Sequence, residues 1–211
     1  THLLHKALKE VLGDHVNQAG SLVEPDRLRF DITHFEAMTK EEISRVEAMV
    51  NEFILEAHPV TAEVMNINEA RAMGAMALFG EKYGEEVRVV KMGDCSVELC
   101  GGTHLDNTSQ VGMFKILSEG GVAAGVRRIE AITGRAASNY LLQLDAEKKK
   151  LEGLTKTQDG NVYDKVQKLY SEIKDLKADL SKLKKGKASG NIGDNIKIED
   201  MEGVKFGSAI L

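Results

Sequence analysis

The sequence has no tryptophan, only two prolines and only two cysteines. It also has no apolar run near the ~20 residues that a membrane-spanning helix needs, so a helical membrane protein is excluded and no membrane partner is expected. Two cysteines are too few for a disulfide framework and suit a reducing compartment. We therefore expect a cytoplasmic protein.

The 211 residues are 42% hydrophobic and 29% charged, which is incompatible with disorder throughout. This length allows one sizeable core with an appendage, or two small units. The chain starts at Thr1 within a helical pattern and stops at Leu211 within an apolar stretch. We interpret it as an internal fragment of a longer protein.

Charge is unevenly distributed along the chain. Residues 1–126 contain 11 basic and 20 acidic side chains, whereas residues 127–190 contain 15 basic and 9 acidic ones. An acidic body with a basic arm is typical of proteins that meet a polyanion through the arm. A solvated helical surface explains the same charges equally well.

Hydrophobic periodicity predicts helices and strands without a regular βαβ alternation, so the expected fold class is α+β. A helix is predicted over 1–12, and a second begins at the capping box formed by Thr39 and Glu42. The other predicted elements are strands over 22–23, 28–32, 60–66, 87–92, 96–99, 113–118 and 126–132, and an Asn68-capped helix that ends near Phe79.

Beyond Gly134 the pattern changes to long helices. Two apolar stripes lie on either side of turn-forming residues at 157–161, and residues 184–195 have the composition of a linker. We expect an antiparallel helical hairpin in which each helix covers the other's stripe. Intermolecular coiled-coil pairing, and hence self-association through the hairpin, is the alternative. The stripes are Leu141, Leu144, Leu151 and Leu154, then Val162, Val166, Leu169, Ile173, Leu176, Leu180 and Leu183.

One glycine-rich loop carries candidate metal ligands. Cys100 and His104 are separated by three residues, among them Gly101 and Gly102, a spacing that lets a thiolate and an imidazole converge on one ion. A single C-x3-H pair is a weak signal on its own. His2 adds a further imidazole, and either His5 or a residue before Thr1 would complete a zinc site.

Two other candidates have simpler interpretations. Cys95 is five residues before Cys100, across a predicted strand, and is expected to be a buried free thiol. His58 precedes a proline and is expected to be an ordinary histidine. A zinc peptidase is excluded because the sequence has no H-E-x-x-H motif.

Several motifs together resemble the editing domain of alanyl-tRNA synthetases. The resemblance implies an editing domain over 1–135, an antiparallel hairpin over 136–185, and a linker with the start of a C-terminal domain over 186–211. The motifs are Thr1-His2-Leu3-Leu4-His5, Asn17-Gln18-Ala19-Gly20-Ser21, Ala75 to Tyr83, Cys100-Gly101-Gly102-Thr103-His104 and Ala124 to Glu130.

The resemblance also implies roles for individual residues. Zinc would be held by His2, Cys100 and His104, with a fourth ligand upstream of Thr1, so that zinc occupancy of this chain stays open. His5 is not carried over as a ligand. Catalytic roles fall on Cys100, His104 and Gln18. Substrate-binding roles fall on Thr1, Gln18, Ser21, Gly101, Gly102, Thr103 and Arg127.

The activity implied by the resemblance is hydrolysis of alanine tRNA that has been charged with serine or glycine. The tRNA would be bound through its 3′ end and acceptor stem, and ATP-dependent aminoacylation would reside elsewhere in the intact enzyme. A non-catalytic module is the alternative, in which zinc is structural and the basic hairpin binds tRNA or dimerises. A polar pocket and an open coordination position would distinguish the enzyme from that module.

Overall fold

The chain combines helices with antiparallel sheets, which confirms the α+β class. The computed structural model describes residues 1–76, 83–157, 161–189, 196–201 and 203–209. They form two compact units, Thr1–Leu144 and Asp145–Leu211. In chain order the elements are α1 (His2–Leu12), β1 (Gln18–Val23), β2 (Leu28–Thr33), α2 (Lys40–Leu55), β3 (Val60–Asn66), α3 (Ile67–Ala72), β4 (Glu86–Met92), β5 (Ser96–Leu99), a 3-10 helix (Thr108–Val111), β6 (Phe114–Ala123), β7 (Val126–Thr133), α4 (Gly134–Thr155), α5 (Val162–Ser189), β8 (Ile196–Met201) and β9 (Val204–Ala209).

Helix α1 ends and helix α2 begins where local signals predict. Helix α1 is followed by Gly13, whose φ of 114° is unfavourable for residues with a side chain. Helix α2 starts at the predicted capping box, because Thr39 Oγ1 accepts from the Glu42 amide and the Glu42 carboxylate accepts from the Thr39 amide. The end of α1 and the start of α2 therefore agree with the sequence, whereas α2 ends at Leu55, before the proline at 59 that was expected to end it.

A four-stranded sheet forms the base of the first unit. Its order is β1-β2-β7-β6, and all neighbours are antiparallel. Helices α1 and α2 pack together, and their apolar faces share one core with this sheet. The largest fully buried side chains of this core are Phe30, Phe114, Leu4, Leu8, Ile32 and Ile129.

A second, three-stranded sheet carries the glycine-rich loop. Its order is β3-β4-β5, again antiparallel, and its own small core contains Ala70, Val87, Val89 and Leu99. Strand β5 leads directly into Cys100, so the loop starts from a fixed strand end. Contacts between α1 and β5 bring that strand end close to the start of the chain.

Helix α3 differs from its prediction. Asn66 caps it, since the Asn66 side chain accepts from the Asn68 amide at 2.9 Å, and the predicted cap, Asn68, lies inside the helix. The helix ends at Ala72, and the predicted end near Phe79 lies outside the described residues, as do residues 77–82 of one family-like motif. Two asparagines two residues apart offer equivalent capping chemistry, so composition alone does not choose between them.

The long helices α4 and α5 are both present, and α5 continues through residue 189, where a linker was predicted. Lysine, alanine and serine are compatible with helix once it is nucleated, which explains the extension. The leucines of both stripes are largely exposed, so their pairing stays a prediction. The predicted turn at 157–161 includes residues 158–160, and the predicted linker includes 190–195, both outside the described residues.

Beyond α5, β8 and β9 pair as an antiparallel hairpin. Of the helices the structure describes, none combines the length and the apolar character needed to cross a membrane.

Two glycines with positive φ allow a test of close backbone packing. Gly112 has φ +68°, and a Cβ there would lie 3.0 Å from Gly134 Cα; Gly74 has φ +78° and nothing within 4 Å. Both alanine variants incur the left-handed strain of about 1–2 kcal/mol. We expect Gly112→Ala to lower the free energy of unfolding by at least about 1 kcal/mol more than Gly74→Ala does, because the neighbouring backbone must also move. Urea unfolding followed by circular dichroism measures both losses, and equal losses would contradict the packing described.

Candidate metal centre

The structure brings His2 together with Cys100 and His104, which follow it by 98 and 102 residues in the sequence. One ligand atom from each lies within 4.8 Å of the other two. The Nε2 atoms of His2 and His104 are 3.1 Å apart. The three side chains come from the start of α1 and from the loop that follows β5.

A buried carboxylate orients His2. Glu98 is 3% exposed, and its Oε2 lies 2.6 Å from His2 Nδ1. Burial alone raises the pKa of Glu98, but the hydrogen bond from His2 and the nearby His5 outweigh burial and lower that pKa to about 2. The ionised carboxylate can only accept, so the His2 proton sits on Nδ1 and the lone pair of Nε2 faces His104.

Two further side chains surround the Glu98 carboxylate. Ser96 Oγ donates to Glu98 Oε1 at 2.9 Å, as expected for residues i and i+2 on one face of a strand. His5 Nδ1 lies 3.7 Å from the same oxygen, which is too long for a hydrogen bond but close enough for an electrostatic contact. His5 therefore acts on Glu98 rather than as a member of the ligand group.

The glycine-rich loop is held by an arginine on β4. Arg88 Nη1 donates to the carbonyls of Cys100 at 2.8 Å and Gly102 at 2.7 Å. The Cys100 amide donates back to the Arg88 carbonyl at 3.1 Å. Gly101 and Gly102 are both exposed between these anchored positions. Arg88 thereby fixes the path of the backbone between Cys100 and His104.

The donor set fits a zinc ion. Burial, and then the neighbouring His2 and Arg88 side chains, lower the pKa of His104, so that its ring is neutral at pH 7, as a ligand must be. At Zn–N distances of 2.0–2.1 Å, tetrahedral geometry places two nitrogens about 3.3 Å apart, close to the His2–His104 separation. Two imidazoles and one thiolate leave a fourth position for water or substrate.

A cavity of about 380 Å³ opens beside these side chains. Thr1, His2, Thr103 and His104 form part of its wall, so two hydroxyl groups and two imidazoles face the same space. Much of the remaining wall is apolar, with Leu4, Val50, Ile54, Met92 and Phe114 among the lining residues. This space is large enough for an amino-acid-sized group next to the ligands.

Gln18 and Arg127 lie in one row across the four-stranded sheet. Gln18 pairs with Ile32 on β2, and Ile32 pairs with Arg127 on β7, so the two polar residues flank the central strand. Gln18 is half-buried, and Ser21, three residues on in β1, is exposed. Within the part of the chain that the structure describes, no hydrogen bond or ion pair joins Gln18, Ser21 or Arg127 to the His2–Cys100–His104 cluster.

Adjacent arginines on β7 take different acidic partners. Arg127 Nη2 donates to Glu119 at 2.8 Å, and its Nε donates to the other carboxylate oxygen. Arg128 makes a similar two-point contact with Asp31, at 2.8 Å to each oxygen. These bidentate pairs explain why each guanidinium is held in place.

Glu98 and Arg88 are the two site residues that sequence reasoning missed. Both have a sequence signal in retrospect: Glu98 alternates with Ser96 on a strand that enters the cysteine loop directly, and Arg88 lies on the neighbouring strand. Neither pattern predicts that Glu98 contacts His2 or that Arg88 holds the cysteine loop. Both contacts depend on how α1 and β4 pack against β5.

Residues 87–130 match the family model described as the threonyl and alanyl tRNA synthetase second additional domain. The chain is 61% identical to an alanine–tRNA ligase of Clostridioides difficile (strain 630) over 184 residues, or 87% of the chain and 21% of the relative. It is 56% identical to that of Acetivibrio thermocellus over 213 residues, or 99% of the chain and 24% of the relative. It is 51% identical to the alanine–tRNA ligase of Enterococcus faecalis over 208 residues, or 98% of the chain and 24% of the relative. The chain thus spans less than a quarter of the length of these relatives.

The role of Glu98 can be tested by zinc affinity. Glu98→Gln keeps the size of the side chain but removes the charge that fixes the His2 tautomer, so we expect zinc to bind about 10–100-fold more weakly. Glu63→Gln, an exposed change on β3, is the matched control and should leave affinity unchanged. Competition against a chromogenic chelator measures both, and equal affinities for the two variants would contradict the role of Glu98.

Proposed function

Because the chain has the sequence of an alanyl-tRNA synthetase segment, we propose that it carries the proofreading activity of such an enzyme in the cytoplasm. The reaction is hydrolysis of the ester that links a wrong amino acid, serine or glycine, to alanine tRNA. The observation that carries this proposal is the convergence of His2, Cys100 and His104 beside a cavity of amino-acid size.

The ligand group supplies the chemistry that ester hydrolysis needs. A zinc ion held by His2, Cys100 and His104 would polarise an ester carbonyl or acidify a bound water. Glu98 keeps the proton of His2 on Nδ1, away from the ligand side. Arg88 holds the carbonyls of Cys100 and Gly102, so the loop presents Gly101 and Gly102 to the substrate in a fixed conformation.

Selection of serine over alanine requires polar groups in the pocket. An apolar pocket rejects an added hydroxyl by only about 100-fold, so a second site that hydrogen-bonds the hydroxyl is needed. Thr1 and Thr103 line the cavity and offer such groups. Alanine would leave these groups unpaired, at a cost of about 1–3 kcal/mol for each buried group. Gln18 and Ser21, on β1, are proposed to contribute from the neighbouring sheet edge.

The tRNA is proposed to bind through its 3′ end, at the cavity, and through its acceptor stem. Arg127 is proposed as a phosphate contact. Its Nε and Nη2 are engaged by Glu119, and its Nη1 takes no part in those two bonds. We further propose that residues 1–135 form the editing domain, that 136–185 form the hairpin, and that 186–211 contain a linker and the start of a C-terminal domain.

The proposal predicts selective release of serine. Serine-charged alanine tRNA should be hydrolysed by the zinc-loaded chain, and alanine-charged tRNA at least about 100-fold more slowly. Cys100→Ala removes a proposed ligand and should reduce serine release by at least about 100-fold. Cys95→Ala, the change of the other cysteine, should retain it. Release of labelled amino acid from each tRNA gives the rates.

Two results would contradict the proposal. Equal rates for serine- and alanine-charged tRNA would show that the chain does not select serine. Equal loss of activity in both cysteine variants would show that Cys100 has no specific role in the reaction. Tight tRNA binding without hydrolysis of either ester would favour the non-catalytic module, in which the cluster has only a structural role.

A further inference from the structure

A second mixed cluster lies in the first unit, apart from the candidate metal centre. One ligand atom each of Glu56, His58 and Cys95 lies within 4.8 Å of the other two, and His58 Nε2 is 2.6 Å from Glu56 Oε2. Glu56 follows α2, His58 precedes β3, and Cys95 lies in the turn between β4 and β5. Cys95 is half-buried rather than fully buried as the sequence predicts, and His58 has an acidic partner.

We propose that Glu56, His58 and Cys95 form a second metal site for a divalent cation of the zinc type. A thiolate, an imidazole and a carboxylate are all ligands that zinc takes in proteins, and three protein ligands with one open position form a recognised arrangement. Calcium and magnesium are disfavoured, because a thiolate and an imidazole replace the oxygen ligands that they require. The site shares no residue with the His2–Cys100–His104 cluster and does not depend on the proposed function.

The backbone around His58 is anchored by residues of another segment. The His58 amide donates to Thr108 Oγ1 at 2.9 Å, and the Thr108 amide donates to the His58 carbonyl at 2.9 Å. Thr108 Oγ1 in turn donates to the Phe53 carbonyl, and Asn107 Nδ2 donates to the Ala57 carbonyl at 2.7 Å. His58 and Glu56 are therefore presented from a cross-braced connection between α2 and β3.

The turn that carries Cys95 packs closely against His58. A Cβ at Gly93, which has φ +52°, would lie 2.5 Å from His58 Nδ1, so that a side chain there would displace the ring. The Gly93 amide donates to the Pro59 carbonyl at 3.0 Å, and the Cys95 amide donates to the Met92 carbonyl at 3.0 Å. Gly93 thereby allows the turn to approach closely enough for Cys95 to reach the imidazole.

The electrostatic surroundings favour a cation. Glu56 lies at the C-terminal end of α2, where the backbone carbonyls carry partial negative charge, and Asp94 lies beside Cys95. Lys6, which lines the same cavity, is paired with Glu10 at 2.6 Å, and Lys91 is paired with Asp94 at 3.5 Å. Their charges are therefore partly compensated.

The Cys95 thiol can act as a metal ligand only after it loses its proton. Burial, followed by the negative charges of Glu56 and Asp94, raises the pKa of Cys95, so the thiol is protonated at neutral pH. A divalent cation reverses this by offsetting the carboxylates and displacing the proton from sulfur. The cluster borders a cavity of about 380 Å³ that gives such an ion access from solvent.

Cobalt titration of a Cys100→Ser chain tests the site directly. The sequence has two cysteines, so any thiolate-to-cobalt charge-transfer band in this background comes from Cys95. We expect a band that saturates at one equivalent of Co²⁺ and disappears when zinc is added. His58→Ala in the same background should abolish the band, and Glu56→Gln should weaken cobalt binding by about tenfold or more.

A matched control and a second measurement make the test decisive. Glu52→Gln changes an exposed carboxylate on α2, outside the proposed ligands, and should keep the band. Zinc should also slow modification of Cys95 by a thiol reagent at least tenfold. Glu56 is exposed, so misfolding would not explain a loss in Glu56→Gln. Absence of both the band and the protection would overturn the proposal, as would a band that Glu56→Gln and His58→Ala leave unchanged.

Discussion

The contact between Glu98 and His2 is the interaction on which the candidate centre depends. It joins the start of α1 to β5 across 96 residues of sequence, and it places an ionised carboxylate where only 3% of the residue is exposed. A buried carboxylate without partners is strongly unfavourable, so the contacts with His2, Ser96 and the nearby His5 ring stabilise this arrangement. The same contact leaves His2 Nε2 facing His104. Formation of the ligand group therefore depends on the packing of α1 beside β5.

Strand β5 links the two clusters of the first unit. It has four residues, with Cys95 immediately before it and Cys100 immediately after it. Cys100 joins His2 and His104 on one side, while Cys95 lies beside Glu56 and His58 in the turn from β4. Arg88 on β4 anchors the loop after the strand, and Gly93 shapes the turn before it. A short antiparallel sheet thus presents two cysteines to two separate sets of partners.

Local signals predicted the elements well, but long-range contacts needed the structure. Gly13 and the Thr39–Glu42 capping box act within a few residues, and the helices end or begin there as predicted. The choice of Asn66 over Asn68 as a cap, and the extension of α5 through residue 189, depend on small energy differences that composition does not resolve. For Glu98 the sequence predicted a position on a strand but not the contact with His2. The neighbours of Cys95 lie 37 and 39 residues away, so its partners follow only from the way β4 and β5 pack beside the end of α2.

The most direct measurement is zinc X-ray absorption on the zinc-loaded Cys95→Ser chain, in which Cys100 is the remaining cysteine. We expect one sulfur at about 2.3 Å from the zinc ion and two imidazole nitrogens at about 2.0–2.1 Å from it, with an oxygen or nitrogen atom in the remaining position. The sulfur contribution should vanish when Cys100 is also changed to serine. A zinc ion surrounded by nitrogen and oxygen alone, in the chain that retains Cys100, would contradict the candidate centre described here.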